Sequence, residues 1–399
     1  MGTVQENWKL ALGILRPTQK ELEHGLELHR NSYVFDAYSF MPSGGGKCPR
    51  LDELIRQHAS RDELTYALED FHKNQSFREP AMRKKLAEAW ETAGVDCIFQ
   101  NSGVEGNDIE NLLKRLGSFT AVIDRLDDFY ERAAFPDRLA GIRERGHKAL
   151  YMTTNGVPIS SKGMSVNEAL LHIGVFFNLG IRMMHLTYNR RNLIGDGCAE
   201  TANGGLSDFG RQVIAEMNRV GVIPDVAHSG QQTSLEAALC SKKPVVASHS
   251  GTGKLSTHYR TKCDEVIEAI KKTNGYVGVC TICNFLQGTM DIRAFLDHIE
   301  YIARTFGADH VAIGTDRSTI LAPVETAETM PLNRPIWEKY WSPAKGPGDS
   351  DVTQEQFHSL AWTNWPLFTV GLVQRGFSDA EIQKIIGGNV LRVCRDSLA

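Results

Sequence analysis

The chain has 399 residues, of which 42% are hydrophobic and 23% charged, a composition typical of a globular protein with one large core. Its net charge of -4 and its lack of a long basic run argue against nucleic-acid binding. No stretch resembles a signal core or a membrane span, so we expect no membrane partner. The 8 cysteines lie mostly in apolar runs, which favours reduced thiols and a cytoplasmic location.

In chain order, residues 5–31 predict an amphipathic helix broken at Pro17, and residues 32–40 predict a first strand rich in aromatic residues. Charged helical segments follow over 50–93. A helix is predicted over 108–132, with a second helical stretch to residue 145. Further apolar runs predict the remaining strands, at 95–102, 149–155, 181–188, 222–229, 244–250, 275–283 and 310–316.

Strands that alternate with helices in this way predict an α/β fold, the (β/α)₈ TIM barrel, whose active sites lie at the carboxyl ends of the strands. Ser207 and Gly221 have the residue types that cap a helix over 208–220. No linker composition divides the chain, so we expect a single domain over 1–399. Within it, 1–31 would be a helical N-terminal extension. Residues 320–399 would form a C-terminal excursion, rich in Pro, Gly and Trp over 322–349, and closing helices.

Two of the predicted strands run into histidines, His228 and His249. The residues between them can hold one helix, so the two strands would be parallel neighbours with their carboxyl ends on one rim. Two neutral imidazoles side by side are ligands for a divalent transition metal. The other predicted rim residues are Asp36, Tyr38, Phe40, Gln100, Asn101, Asn155, Tyr188, Cys280, Cys283 and Asp316. The alternative interpretation is a hydrogen-bonded structural histidine pair, with Asp316 capping a turn.

Two other features are weaker candidates. Cys280 and Cys283 have a redox or metal spacing, but their apolar surroundings favour a packed pair of core thiols. The polar loop 189–200 follows the fourth predicted strand. Its charged residues Arg190, Arg191 and Asp196 would either contact a substrate or be solvated.

Residues 205–229 resemble the corresponding segment of the renal (membrane) dipeptidase family. Further stretches are similar to the same family, at 245–250, 296–307, 313–316 and 387–393. The resemblance implies an amidohydrolase-type TIM barrel that hydrolyses dipeptides with a pair of zinc ions. It implies that His228 and His249 hold the second zinc, that Asp316 is the acid/base residue and that Arg260 binds the substrate carboxylate.

The chain departs from this family where the first zinc would bind. The family's His-x-Asp pair falls on Tyr38 and Phe40, and its bridging glutamate falls on Asn155. A phenol titrates near pH ~10, phenylalanine has no donor atom, and a neutral amide bridges two dications poorly. The family's substrate-binding histidine becomes Tyr188. These changes predict that the zinc pair is incomplete.

The residues that remain favour a divergent dipeptidase-like hydrolase acting on a dipeptide or a small carboxylate-bearing amide. We expect one ion at most, zinc or another divalent metal, held by His228, His249 and Asp316, which would also be the catalytic residues. The predicted substrate contacts are Arg260, Tyr188, Asn155, Tyr38 and Asn189. Two alternatives stay open: a non-hydrolytic biosynthetic enzyme of the isomerase, decarboxylase or condensing type, and a non-catalytic binding protein. The sequence also leaves a homo-oligomer open.

Overall fold

A computed structural model describes residues 3–103, 106–159, 165–322 and 350–398. The predicted excursion at 322–349 therefore falls outside the described residues from position 323 onward. The strands are β1 (Phe35–Ser39), β2 (Cys97–Asn101), β3 (Tyr130–Ala133), β4 (Lys148–Thr154), β5 (Ile181–His185), β6 (Ile223–Asp225), β7 (Ala247–Ser250), β8 (Val277–Val279) and β9 (Val311–Ile313).

The helices before β6 are α1 (Val4–Leu15), α2 (Gln19–Asn31), α3 (Leu51–Arg56), α4 (Arg61–Arg78), α5 (Pro80–Ala93), α6 (Ile109–Arg125), α7 (Leu139–Glu144), α8 (Val166–Asn178) and α9 (Asp208–Val220). Those after it are α10 (Gln231–Cys240), α11 (Asp264–Lys272), α12 (Cys283–Leu286), α13 (Ile292–Phe306), α14 (Gln354–Ser359), α15 (Trp365–Gln374), α16 (Asp379–Gln383) and α17 (Asn389–Leu398). As predicted, α9 begins at a Ser207 cap and ends at Gly221, whose φ of 95° is one that glycine adopts without strain.

The strands form a closed barrel of parallel pairs, which confirms the predicted TIM-barrel fold. One sheet runs in the order β1, β2, β4, β5, β6 and a second in the order β7, β8, β9. A parallel bridge from Asp225 to Val246 joins β6 to the chain leading into β7. On the other side, the Asp316 amide donates to the Tyr38 carbonyl oxygen at 2.9 Å, which joins the chain after β9 to β1. All carboxyl ends therefore lie at one rim.

The prediction of a helix over 108–132 is wrong at its C-terminal end. Helix α6 stops at Arg125, and residues 130–133 form β3, which pairs in parallel with the first half of β4. Tyr130 and Ala133 are buried while the two residues between them are not, a pattern that also fits the last turn of a helix. A strand this short cannot be distinguished from a helix end by periodicity.

A register shift in β1 determines which of its residues reach the site. Tyr38 packs with the aromatic and aliphatic side chains that fill the barrel, among them Phe35 and Phe99. The pairing of β1 with β2 is irregular between Asp36 and Ser39. Asp36 consequently faces the outer helices, where it accepts bonds from the indole nitrogens of Trp362 and Trp365 at 3.2 Å each. The prediction of Asp36 as a rim residue is wrong, because a bulge is not visible in the residue pattern.

The first two helices pack against the C-terminal ones on the outside of the barrel. The His29 ring of α2 lies 2.8 Å from the Thr369 hydroxyl of α15, and the Gln374 side chain donates to the Leu15 carbonyl oxygen at 3.1 Å. Across the described ranges, no helix has both the length and the apolar character needed to cross a bilayer.

Candidate active site

Histidines from three neighbouring strands meet at the carboxyl-terminal rim. His185 ends β5, His228 follows β6, and His249 lies in β7. One ring nitrogen of each lies within 4.8 Å of those of the other two, and all three side chains are buried. The ring centroids are 5.0 to 5.3 Å apart, and the ring planes cross at 63° to 76°. The predicted His228–His249 pair is thus part of a larger cluster, whose third member the sequence analysis did not select.

Hydrogen bonds orient the His228 and His249 rings toward each other. The Nδ1 atom of His228 lies 2.8 Å from the Asn189 side-chain oxygen, which only accepts, so this nitrogen carries the hydrogen. The Nδ1 atom of His249 lies 2.8 Å from the Ser248 hydroxyl. Both rings therefore present Nε2 to the centre of the site, and the two Nε2 atoms are 3.0 Å apart. Asn189 has a φ of 58°, a left-handed conformation that asparagine tolerates well.

Asp225, at the end of β6, connects two members of the cluster. Its Oδ2 atom lies 2.8 Å from His185 Nε2, and the Ser248 hydroxyl donates to the same oxygen. Its Oδ1 atom accepts the amides of Ala227 and Ser248 at 2.9 and 3.1 Å. Burial raises the pKa of Asp225, but His185 and the bonds from Ser248 together hold it below its ordinary value. A buried carboxylate therefore lies directly behind the histidines.

The electrostatic environment keeps His228 and His249 uncharged. Burial lowers the pKa of both rings well below the ordinary value, and the nearby Arg260 guanidinium lowers it further. A neutral imidazole with a free lone pair is the form that binds a divalent transition metal. These residues therefore fit the second zinc of the resembling family.

The residues that the resemblance places at the first zinc do not fit a metal ion. The Tyr38 hydroxyl donates to the Asn155 side-chain oxygen at 2.6 Å, and its ring stacks on His249 with 3.8 Å between centroids. Burial, and then the Asp316 carboxyl, raise the pKa of Tyr38 well above its ordinary value, so the phenol stays protonated. Phe40 stands edge-on to the same ring and offers no ligand atom. None of these three residues therefore offers a charged donor for a second dication.

Arg260 is a buried cation beside the histidines. Its side chain donates to the carbonyl oxygens of Ala227 and His249 at 3.2 Å each, and its guanidinium lies over the Phe285 ring at 4.9 Å. The residue is 4% exposed, and among the described residues no carboxylate lies within ion-pair distance of it. Asp316 interacts with this guanidinium electrostatically but does not contact it, so a contacting carboxylate would have to come from a ligand.

Asp316 lies after β9 on the same rim, outside the histidine cluster. Burial raises the pKa of its carboxyl to about 6, and Arg260 and His185 limit the rise. Its φ of 53° is left-handed, which is uncommon for a residue other than glycine and tends to occur at functional sites. The geometry thus brings Asp316 to the same end of the barrel as the histidines and Arg260.

The remaining candidates differ in what they offer to a ligand. Tyr188 is partly exposed and stacks on His228 with 4.1 Å between centroids. In the loop 189–200, Arg191 pairs with Asp196 at 3.0 Å and Arg190 contacts Glu200 at 3.5 Å. These side chains therefore form ion pairs within the loop.

The predicted packing of Cys280 and Cys283 as core thiols is confirmed, since both are buried and unbridged. The prediction that both lie at the end of a strand is wrong for Cys283. Strand β8 ends at Val279 and Cys283 is the first residue of α12.

His185 was missed because the predicted strand extended too far. The apolar run 181–188 placed Tyr188 at its end, whereas β5 stops at His185. The signal was a histidine that follows two methionines, in the strand next to the one that leads to His228. The register gives the same result, since His185 pairs with Asp225.

Comparison with known proteins identifies the family. Residues 63–331 match the membrane dipeptidase family, peptidase family M19. The chain is 26% identical to Dipeptidase tcpJ of Claviceps purpurea over 280 residues, which cover 69% of this chain and 57% of that protein. It is 29% identical to Dipeptidase verJ of Clonostachys rogersoniana over 224 residues, 54% of this chain and 48% of that protein. The chain thus spans about half the length of these curated relatives.

Comparison with solved structures supports the same family. A solved amidohydrolase structure from Pseudomonas aeruginosa aligns with a TM-score of 0.67 at 26% identity, over 94% of this chain and 98% of that one. The family match extends over β2 to β9 and includes the three histidines, Arg260 and Asp316. The chain belongs to the membrane dipeptidase family, peptidase family M19.

Proposed function

We propose that this protein is a membrane-dipeptidase-like hydrolase that cleaves a dipeptide or a small carboxylate-bearing amide. The buried Arg260 guanidinium is the observation that carries the proposal. It lacks a carboxylate partner among the described residues, and it lies beside two neutral histidines at the rim of the barrel. A substrate carboxylate would supply a counter-charge in direct contact with the guanidinium, whose planar geometry suits a carboxylate.

In this proposal, His228 and His249 hold one divalent ion, zinc or another transition metal. Such an ion would act as a Lewis acid that polarises the carbonyl of the scissile amide. In the alignment that the resemblance implies, Tyr38 and Asn155 would occupy the place of the first zinc; they bond to each other, and neither is charged. We therefore assign one ion at most to the chain.

Asp316 would transfer the proton. Its carboxylate would accept a proton from the attacking water as the carbon–oxygen bond forms. It would then donate that proton to the leaving nitrogen as the carbon–nitrogen bond breaks. Tyr188 and Asn189 would contact the substrate beside His228, and Tyr38 and Asn155 would close the floor of the site. We expect Asp316→Asn to lower kcat by about 10² to 10⁴.

Hydrolysis of matched substrates tests the role of Arg260. A free dipeptide and its C-terminal amide differ only in the carboxylate, so wild-type protein should favour the free acid by about 100-fold or more in kcat/KM. Arg260→Met should abolish this preference, whereas Arg219→Met, at an exposed helix position, should retain it. Equal rates for acid and amide in the wild type would contradict the proposal. No hydrolysis of any dipeptide would favour the non-hydrolytic or binding alternatives.

We also propose that the protein works in a reducing compartment such as the cytoplasm, without a membrane or nucleic-acid partner. All 8 cysteines are free thiols, which supports this location. The proposal is compatible with a homo-oligomer. Protein recovered from cells should label at its accessible thiols without prior reduction.

A further inference from the structure

The third histidine of the cluster has no counterpart in the ligand set that the dipeptidase resemblance implies. That set places the second zinc on two histidines, which correspond to His228 and His249, and assigns no ligand to the position of His185. Yet His185 is fully buried and contributes a ring nitrogen within 4.8 Å of both partners. Its presence at this point requires a separate explanation.

The hydrogen-bond network leaves the facing nitrogens of His228 and His249 without a proton. Asn189 accepts the Nδ1 hydrogen of His228. The Ser248 hydroxyl donates to Asp225, so its oxygen accepts the Nδ1 hydrogen of His249. Two Nε2 lone pairs then face each other at 3.0 Å. Such an arrangement is repulsive by itself, and a cation bound by both atoms relieves it.

His185 has the same organisation on the third side. Its Nε2 atom lies 2.8 Å from an oxygen of the Asp225 carboxylate, and neither ring nitrogen has a partner with hydrogen-bond geometry among the described residues. A carboxylate behind a ring fixes the orientation and raises the basicity of a metal-binding histidine. An unpartnered buried ring nitrogen is costly unless a ligand uses it.

We propose that His185, His228 and His249 together hold one divalent ion of the zinc class through three imidazole nitrogens, with Asp316 left free for proton transfer. This assignment rests on the proposed function and names the ligands of the same ion. It replaces the Asp316 ligand of the sequence-based prediction with His185. Three neutral ligands leave the charge of the ion uncompensated, and three protein ligands leave a coordination position open.

The ligand chemistry also selects the ion. Imidazole nitrogens suit zinc, cobalt, nickel and copper, whereas magnesium and calcium prefer oxygen ligands. Among the described residues, no aspartate or glutamate has an oxygen near all three ring nitrogens, since Asp225 contacts His185 alone of the three rings. The site should therefore bind Zn²⁺ or Co²⁺ and should not retain Mg²⁺.

Metal titration of the full chain, stripped of metal and without substrate, tests the assignment. We expect His185→Gln to weaken Zn²⁺ and Co²⁺ binding by more than about 100-fold, because glutamine can donate to Asp225 but lacks the ring nitrogen. His298→Gln is the matched control. His298 is equally buried, but both its ring nitrogens bond to backbone, the Thr252 amide at 3.0 Å and the Leu286 carbonyl at 2.9 Å. Asp316→Asn should bind metal as the wild type does.

The outcomes are separable. Unchanged metal affinity in folded His185→Gln, or a large loss in Asp316→Asn, would overturn the assignment. If His185→Gln does not fold, the zinc X-ray absorption spectrum of the wild type decides: three imidazoles support the assignment, and two imidazoles with a carboxylate contradict it. Because metal binding is measured without turnover, failure to hydrolyse dipeptides would count against the proposed function alone.

Discussion

The side chains behind the histidines determine how the rings are presented. Asn189 and Ser248 each take an Nδ1 hydrogen, and Asp225 connects Ser248 to His185. Each histidine thus has a polar partner behind it, as metal-binding histidines usually have. A site whose rings are already aligned loses little further side-chain entropy when a ligand binds.

Substitution of Asn189 tests whether its hydrogen bond to His228 supports metal binding. We expect Asn189→Gly to weaken metal binding by about 10- to 100-fold, because glycine tolerates the φ of 58° but removes the acceptor for His228. Asn189→Asp keeps an acceptor and the backbone preference, so it should bind metal nearly as well as the wild type. The measurement is competition with a chromophoric chelator. Equal affinity in the glycine variant would contradict the role of Asn189.

Some of these residues could be predicted from the sequence and others could not. The His228–His249 pair was predictable, because each histidine follows an apolar run and one helix separates the two runs. The assignment of Tyr38 and Asn155 to the place of the first zinc stays a prediction, since Tyr38 lies outside the residues that match the family. His185 was not selected, because the apolar run continues past the point where β5 ends. The orientation of Asp36 was not predictable either, because it depends on a bulge between two strands that are distant in sequence.

At the scale of elements, Asp36 connects the first strand to the C-terminal helices. It accepts the Thr315 amide at 2.9 Å and hydroxyl at 2.6 Å, besides the indole nitrogens of Trp362 and Trp365. It also accepts the Tyr38 amide, at 3.2 Å. One buried carboxyl thus bonds to β1, to the end of β9 and to the segment that leads into α15. Its contacts therefore fix the strand that carries Tyr38.

We expect Asp36→Ala to lower the free energy of unfolding by about 3 to 5 kcal/mol, because several buried donors would lose their acceptor. Asp379→Ala is the control, since Asp379 is 57% exposed in its ion pair with His24 and should cost less than about 1 kcal/mol. Urea denaturation gives both values. A loss below 1 kcal/mol in Asp36→Ala would show that these bonds contribute little.

The packing of α2 on α15 should also depend on pH through His29. Burial lowers the pKa of His29 to about 4 from 6.5, although its bond to the Ala93 carbonyl oxygen opposes this shift. Above pH 6.5 His29 is neutral in both the folded and the unfolded chain, so its contribution to the free energy of unfolding is fully present. As the pH falls from 6.5 to about 4, His29 binds a proton in the unfolded chain but not in the folded one. The free energy of unfolding therefore falls by about 3 kcal/mol over this range.

We expect His29→Gln to lack this part of the pH dependence of the free energy of unfolding. Thr369→Val is the control, because it removes the hydroxyl bonded to His29 but leaves the ring in place. The control should be less stable than the wild type at every pH, but its free energy of unfolding should change with pH as steeply as that of the wild type. Identical slopes in wild type and His29→Gln between pH 6.5 and 4 would contradict the assignment.

At the scale of the whole molecule, the barrel was predictable because its main strands are separate apolar runs between helical segments. The extra strand β3 was not, because its few residues continue the pattern of α6. The barrel gathers the carboxyl ends of β5, β6 and β7 into one rim, which lets three histidines distant in sequence share one site. The same fold serves many chemistries, so the site residues carry the functional argument.

The number of metal ions per chain is best measured by elemental analysis of the 399-residue protein, purified without chelators. We expect one ion of the zinc class per chain, because the histidines form one ligand set and Tyr38, Phe40 and Asn155 offer no second one. A ratio of two ions per chain would contradict it, because a second dication would need charged ligands in the half of the site that these three residues occupy.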